Sequence, residues 1–276
     1  MSTPFPSGHD CSHCPAGAQL AQMGIELSHH DHLVALAGNP NTGKSSVFNA
    51  LTGLKQHVGN WPGKTVTRAE GAFAYRGLHY KLVDLPGTYS LMSASQDEQV
   101  ARDFILFGQP DCTVVVMDAT ALERNLNLTL QVLEITGRVV ACVNLMDEAE
   151  RKGIDVDVRA LSRELGVPAV PTVARTGRGL HELVETIAGV VSGAIPTRPR
   201  KWRQNPALER AVEQLVPLIE EVAPGLPSAR WVAYRLLDGD HTIRQSLLTG
   251  ELARLAAAQS APAASGSRLI ALEGGQ

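Results

Sequence analysis

Short, continuous apolar runs recur along the first two-thirds of the chain. Leu33 to Ala37, Tyr80 to Val83 and Val139 to Val143 are rich in aliphatic and β-branched residues and are bounded by polar or glycine-containing joints. Such runs predict strands buried on both faces. Between them, apolar residues at three- and four-residue spacing predict helices over Gln96 to Phe107, Asn125 to Thr136, Val158 to Leu165 and Gly179 to Val191. The alternation from His32 to about Ile195 predicts an α/β unit with a mostly parallel sheet flanked by helices. Thr65 to Tyr75 and Leu78 to Asp84, joined by Arg76-Gly77, predict an antiparallel hairpin at one edge of that sheet. Pro196 to Arg200 reads as a linker from its proline and charge content. Beyond it, Leu208, Val212, Leu215, Ile219 and Val222 recur at helical spacing and predict a small all-helical domain, with Pro217 marking a kink or break. The expected division is an N-terminal extension over 1–31, the α/β domain over 32–196, the helical domain over 197–260 and a connector or tail over 261–276.

The candidate chemistry sits where the predicted strands end. Gly38-Asn39-Pro40-Asn41-Thr42-Gly43-Lys44-Ser45 follows the first run and fits G-x-x-x-x-G-K-[ST]. A loop of this kind turns its backbone N–H groups toward phosphates, with Lys44 charging the β and γ phosphates and Ser45 offering a hydroxyl to Mg²⁺. Ser46 and Val47 to Leu51 continue as the helix whose N-terminus faces the anion. Asp84-Leu85-Pro86-Gly87 ends the second run, where Asp84 is expected to hold Mg²⁺ through water and the Gly87 N–H to sense the γ phosphate. Asn144-Leu145-Met146-Asp147 ends the third, and the Asp147 carboxylate is expected to accept from guanine N1–H and the 2-amino group. Adenine cannot offer that pair of donors, so GTP and GDP are the expected ligands. Val173-Ala174-Arg175 stands where GTPases usually carry Ser-Ala before a basic residue. Val173 lacks the hydroxyl that would brace the loop, while the Ala174 N–H is placed to reach guanine O6. Modest nucleotide affinity and fast GDP release are expected.

Taken together, Gly38-Asn39-Pro40-Asn41, then Val58-Gly59-Asn60-Trp61-Pro62-Gly63-Lys64-Thr65-Val66, then Asp84-Leu85-Pro86-Gly87-Thr88-Tyr89-Ser90-Leu91 resemble the cytoplasmic GTPase domain of the bacterial ferrous iron transport protein B (FeoB) family. Arg230-Trp231 and Leu236-Leu237-Asp238-Gly239-Asp240 resemble the helical domain that follows it, so the likeness covers roughly residues 32 to 258. The resemblance implies a Ras-like P-loop GTPase domain followed by a helical domain that favours the GDP-bound state. It implies a membrane permease beyond Gln276 in the same polypeptide, a place at the cytoplasmic face of the bacterial inner membrane, and as partners a small accessory iron-transport protein or a second copy of the chain. It also implies a potassium ion beside the β and γ phosphates, held by Asn41 and by backbone carbonyls near Gly59 and Trp61. Asn41 as a cap of the loop turn is the plain alternative.

Thr88 occupies the position of the catalytic glutamine of small GTPases and is too short to orient a water. Asn41, Lys44, Thr65 and Gly87 are therefore the expected catalytic groups; Gly63, Lys64 and Thr65 lie in a first loop, Gln56 to Thr67, expected to cycle with GTP hydrolysis together with a second, Gly87 to Asp97, and the Thr65 oxygens are expected to reach Mg²⁺ and the γ phosphate. An ordinary strand threonine is the alternative for Thr65. A regulatory switch, in which GTP occupancy rather than hydrolysis controls a partner, uses the same residues.

Composition narrows the field. The 276 residues carry a net charge of −3, which gives no basic footprint for nucleic acid. No apolar run is long enough to span a membrane, and the first residues lack the apolar centre of a signal peptide. Cys112 and Cys142 lie inside apolar runs and read as buried thiols of a reducing compartment. Cys11 and Cys14, with His9, His13, His29, His30 and His32 nearby, form either a polar tail or a cluster able to hold Zn²⁺ or Fe²⁺.

Overall fold

A computed structural model of the protein describes residues 20–21, 23–26, 30–53, 56–92, 95–200 and 205–260. The Cys11–Cys14 cluster lies outside them. In chain order the elements are β1 (His32–Gly38), α1 (Lys44–Thr52), β2 (Gln56–Asn60), β3 (Thr67–Tyr75), β4 (Leu78–Asp84), α2 (Gln96–Gly108), β5 (Cys112–Asp118), α3 (Leu122–Ile135), β6 (Val139–Asn144), α4 (Met146–Arg151), α5 (Val158–Leu165), β7 (Ala169–Pro171) and α6 (Leu180–Val191). The helical part follows as α7 (Pro206–Val222), α8 (Ala229–Leu237), α9 (His241–Leu248) and α10 (Glu251–Ser260).

The strands form one sheet of seven in the order β2-β3-β4-β1-β5-β6-β7. The contacts of β1 with β4 and β5, of β5 with β6 and of β6 with β7 are parallel, and only β2-β3 and β3-β4 are antiparallel. Successive residues of β1 point to opposite faces, so the strand feeds two cores. Leu33, Ala35 and Ala37 join Val100, Phe104 and Leu128 of α2 and α3 on one face. Val34 and Leu36 join Val47 and Phe48 of α1 and Leu183 and Ile187 of α6 on the other. This is why the central strands read as unbroken apolar runs.

Two expectations are corrected. The sheet edge is not the β3-β4 hairpin but β2, paired from Gln56↔Gly71 to Asn60↔Thr67. Its residues, Gln-His-Val-Gly-Asn, carry no alternation of polarity, and Val58 points to solvent, so the hydrogen-bonding edge of β3 rather than side-chain burial creates the strand. Of the kink or break expected at Pro217, the break does not occur, since α7 continues from Pro206 to Val222. A proline removes one backbone donor, and the packing of Val212, Leu215, Val216 and Ile219 into a third core outweighs that loss. That core includes Leu106 and Phe107 of α2 with Ile135 of α3, so the helical domain is packed on the sheet domain.

Residues before β1 also enter the core. Leu20 and Ile25 are buried among Trp61, Phe104 and Leu33. The backbone carbonyls of Met23 and Glu26 meet a buried charge cluster, in which Glu70 pairs with Arg68 at 2.7 Å and with Lys81 at 2.6 Å. Arg68 then donates to the Met23 carbonyl at 2.6 Å, and Lys81 to that of Glu26. One carboxylate thus offsets two buried cations, and each cation also donates to one backbone carbonyl. Glu70→Gln keeps the shape but leaves both cations uncompensated, so urea denaturation should show a loss of about 3–5 kcal/mol.

Cys112 and Cys142 are both buried, as expected. Burial pushes the Cys142 thiol up to about 12, against a smaller opposing effect of its contact with the Thr172 hydroxyl, and pushes Cys112 further still. Because a raised pKa lowers the thiolate fraction, only ~1 in 10⁴ of Cys142 is thiolate at pH 8. Iodoacetamide followed by peptide mass spectrometry should find both thiols unmodified in the native protein and fully modified in urea.

Candidate functional site

The phosphate loop spans the turn from β1 to α1 and owes its path to a few strict contacts. Gly43 has φ 77°, and a Cβ there would stand 2.4 Å from Asn144 Nδ2. Gly38 lies so close to β5 that a Cβ would meet the Val116 carbonyl at 2.7 Å. Asn41 takes φ 66°, a conformation asparagine tolerates better than most residues, and is exposed. Thr42 closes the turn by donating its hydroxyl to the Asn39 carbonyl at 2.9 Å, and the buried Asn39 amide reaches Arg124 O at the start of α3. Pro40 packs against Gly87 across the site.

Lys44 opens α1 with its ammonium on Asp84 Oδ1 at 2.5 Å and on the Leu85 carbonyl at 2.6 Å. Both charged side chains are largely buried. Desolvation raises the Asp84 carboxyl above its ordinary value, and the Lys44 charge opposes that rise. Ser45 follows Lys44 in the first turn and is exposed. Thr88 is buried and donates its N–H to Gly38 O at 3.3 Å. It is folded onto the phosphate loop and does not reach outward as a water-orienting side chain would.

The base end of the site is built around Asn144. Its Nδ2 donates to Thr42 O at 3.0 Å, and its Oδ1 accepts from the Ala174 N–H at 3.0 Å and the Thr172 hydroxyl at 3.2 Å. A single buried amide therefore fastens the phosphate loop to the loop after β7. Leu145 adopts φ 63°, which turns the chain into α4, and Met146 N–H donates to Thr172 O at 3.3 Å. Asp147 follows, its Oδ2 held by Arg175 at 3.1 Å. Partial burial pushes the Asp147 carboxyl up, but the hydrogen bond and charge of Arg175 outweigh it and hold it below the usual carboxylate range. The group is an anion throughout the neutral range and able to accept two N–H bonds.

The structure thus gathers Gly38 through Ser45, Asp84 through Gly87, Asn144 through Asp147 and Val173 through Arg175. It does not bring the loop of Gly59 to Thr65 into that group. Gly59 is in β2 opposite Arg68, the Trp61 carbonyl accepts Lys64 N–H at 3.0 Å, and Trp61 itself is buried edge-on against Phe104. Gly63 turns the loop at φ 69°. Thr65 donates to Gln96 Oε1 at 3.3 Å and Lys64 to Gln99 Oε1 at 3.4 Å, so both lean on α2. The segment after Gly87 is tied to α3: the Arg124 guanidinium lies 4.2 Å from the centre of the Tyr89 ring, and Leu91 N–H donates to Gln131 at 2.6 Å. Sequence reasoning missed Thr172 and Arg124. A search for any hydroxyl next to Val173 would have found the first. Among the described residues, no cluster of three or more His, Cys, Asp or Glu side chains could hold a metal, and no helix is long and apolar enough to cross a membrane.

A phosphate loop at the end of the first parallel strand, an acid at the end of its neighbour and an Asn-x-x-Asp turn after β6 define a Ras-like G domain, here followed by a helical domain. Family models described as Ferrous iron transport protein B and as FeoB cytosolic helical domain match residues 32–187 and 205–264. The chain belongs to the ferrous iron transport protein B family. It is 40% identical over 217 residues to the Fe(2+) transporter FeoB of Escherichia coli K12, and 42% identical over 227 residues to an Fe(2+) transport protein A/FeoB fusion protein of Porphyromonas gingivalis. These matches cover 75% and 80% of the chain but 27% of each relative. The chain therefore spans about a quarter of the length of the curated relatives it matches. The cytosolic domain of the T. maritima FeoB iron transporter in a GDP form superposes with a TM-score of 0.73 at 36% identity, covering 83% of this chain and 94% of that one. The GMPPNP form gives 0.71 at 35% identity, covering 83% and 93%.

Gly43→Ala adds a methyl group where both φ and the Asn144 amide forbid it, so GDP affinity measured by calorimetry should fall at least about tenfold, with Asn144 displaced.

Proposed function

We propose that this chain binds GTP and hydrolyses it to GDP and phosphate, and that the cycle drives or gates ferrous iron passage through a membrane-spanning remainder of the same polypeptide. One observation carries the nucleotide reading: Asn144 joins the loop that presents Lys44 to the loop that presents Ala174, with Asp147 one turn further on. Phosphate charge and guanine edge are read from one fastened frame. Support for the transport role comes from the names of the relatives, which are Fe(2+) transporters about four times as long as the match. The fused Fe(2+) transport protein A in one relative supports a small accessory iron-transport protein as partner. The similar structures are cytosolic domains, which supports a place at the cytoplasmic face of the inner membrane.

In this reading the β and γ phosphate oxygens take over the Lys44 ammonium, replacing Asp84 and Leu85 O. Phosphates offer Lys44 full charge compensation, whereas Asp84 then needs a new cationic partner. Ser45 and Asp84 are hard oxygen donors and suit Mg²⁺, which when bound neutralises phosphate charge. Thr65 joins them only by leaving Gln96. Asn41, exposed on the phosphate loop, is the side-chain oxygen available to a monovalent cation, with Gly59 and Trp61 carbonyls as the proposed backbone ligands once β2 rearranges. The Gly87 N–H is the backbone donor for the γ phosphate. Val173 through Arg175 close the base end, with Arg175 holding Asp147 in its ionised form.

The buried Thr88 favours a second reading, a slow regulatory switch in which occupancy sets partner affinity. Hydrolysis measured in potassium and in sodium at equal ionic strength separates the two. Potassium should raise the rate at least about tenfold, the scale of one well-placed charge at the transition state, and Asn41→Ala should abolish the difference. Equal rates in both salts contradict cation-assisted hydrolysis and leave the switch.

A further inference from the structure

Residues ahead of β1 close over the loop that carries Trp61 and Thr65. Leu20 and Ile25 share a core with Trp61 and Val66, which stand at the two ends of that loop, and with Phe104 of α2. A Cβ on Gly108 would stand 3.5 Å from Leu20 Cδ2, so Leu20 lies against the end of α2. Gly24 has φ 73°, and a Cβ there would meet Arg68 Nη1 at 2.5 Å and Pro62 Cγ at 3.2 Å, so its turn lies directly on the loop. The turn is closed on itself, with Gly24 N–H donating to Ala21 O at 2.9 Å and Ile25 N–H to Leu20 O at 2.7 Å. Arg68 and Lys81 hold it from outside through the Met23 and Glu26 carbonyls, and Asp31 exchanges two 2.8 Å hydrogen bonds with His79 of β4.

The arrangement being held is a costly one. Trp61 is only 5% exposed, and its indole N–H has no hydrogen-bond partner among the described residues. Water would satisfy that donor if the ring swung out, so burial forfeits a hydrogen bond. The inward position of Trp61 therefore depends on apolar packing, and Leu20 and Ile25 supply part of it from outside both the loop and α2. With the ring inward, Trp61 N–H donates to Val66 O and its carbonyl accepts from Lys64 N–H, each at 3.0 Å, while Thr65 stays on Gln96.

We propose that Leu20, Met23, Gly24 and Ile25 form a strap that holds the Trp61–Val66 loop in this inward state and so lowers the affinity for GTP relative to GDP. The inference rests on the guanine-nucleotide reading, in which Thr65 must leave Gln96 to reach Mg²⁺ and the γ phosphate. A ligand that needs the loop released binds with its intrinsic affinity scaled by the released fraction, whereas one that needs only the Asn144 frame does not sense the strap. These residues lie before residue 32, where the family match begins, so the strap acts from outside the matched G domain.

The test is calorimetric titration of GMPPNP with Mg²⁺, and of GDP without it, into the full chain and into its Leu20→Ala, Ile25→Ala double variant, with amide hydrogen exchange followed over residues 56–67. Truncating two buried side chains weakens the inward state, so GMPPNP should bind at least about tenfold more tightly while GDP stays within about twofold of wild type. Loop amides should exchange at least about tenfold faster. Gly24→Ala pries the turn off Pro62 and Arg68 without opening a cavity. It should show the same selective gain, and it decides the matter if the double variant does not fold. Equal weakening of both nucleotides, or an unchanged ratio of GMPPNP to GDP affinity whatever the exchange rate, overturns the strap and leaves the nucleotide site intact. A wild type that binds neither nucleotide overturns the guanine-nucleotide reading and the inference with it.

Discussion

A lysine ammonium that is nearly out of water needs oxygen around it, and the arrangement at the strand ends follows from that need. Lys44 finds its partners in Asp84 and the Leu85 carbonyl, which belong to the strand beside β1 and to the loop after it. The parallel pairing of β1 with β4, in register from His32↔Tyr80 to Leu36↔Asp84, delivers those oxygens to the start of α1. The site is therefore a property of the sheet before it is a property of any loop. A polyphosphate is the ligand that can compete for this cation, because it offers more negative oxygen than one desolvated carboxylate can.

The second constraint is the fastening of the two ligand-reading loops to each other. Asn144 spans them with one amide, and its register opposite Asp118 of β5 fixes where that amide stands. Gly43 has no side chain because the amide occupies the space. Asp147 and Arg175 are added to this frame at its outer side, where a carboxylate held ionised can read donors on a base edge. The loops that carry Thr65, Trp61 and Tyr89 are fastened elsewhere, to α2 and α3, so they are not the parts that hold the frame. Those two helices also carry Leu106, Phe107 and Ile135 into the core of the helical domain, so the same elements touch both these loops and that domain.

Most of the sheet domain was legible in the chain because its signals are local. The runs at Leu33, Tyr80 and Val139 lie in strands of the sheet, and the phosphate loop, Asp84 and Asn144 stand at their ends as expected. What could not be read depends on distant partners. β2 is polar and exists through the edge of β3. Leu20 and Ile25 show no periodicity, yet they pack with Trp61 while the neighbouring Met23 and Glu26 carbonyls meet Arg68 and Lys81, and they lie before the first residue matched by the family model. Thr65 reads as a nucleotide-loop residue by motif but donates to Gln96, a contact no spacing rule supplies. Val173 was legible as a lost hydroxyl; the contact of the Thr172 hydroxyl with Asn144 was not, because only the fold shows which of two adjacent side chains faces Asn144.

The central claim is that phosphates take Lys44 from Asp84 while the Asn144 frame stays as it is. A crystal structure of this chain with a non-hydrolysable GTP analogue and Mg²⁺ tests it most directly. The account predicts Lys44 Nζ on the β and γ phosphate oxygens, Asp84 turned to the metal side, guanine on Asp147, and the contacts of Asn144 with Thr42, Thr172 and Ala174 unchanged. A bound analogue with Lys44 still on Asp84, or with Asn144 released from either loop, would contradict it.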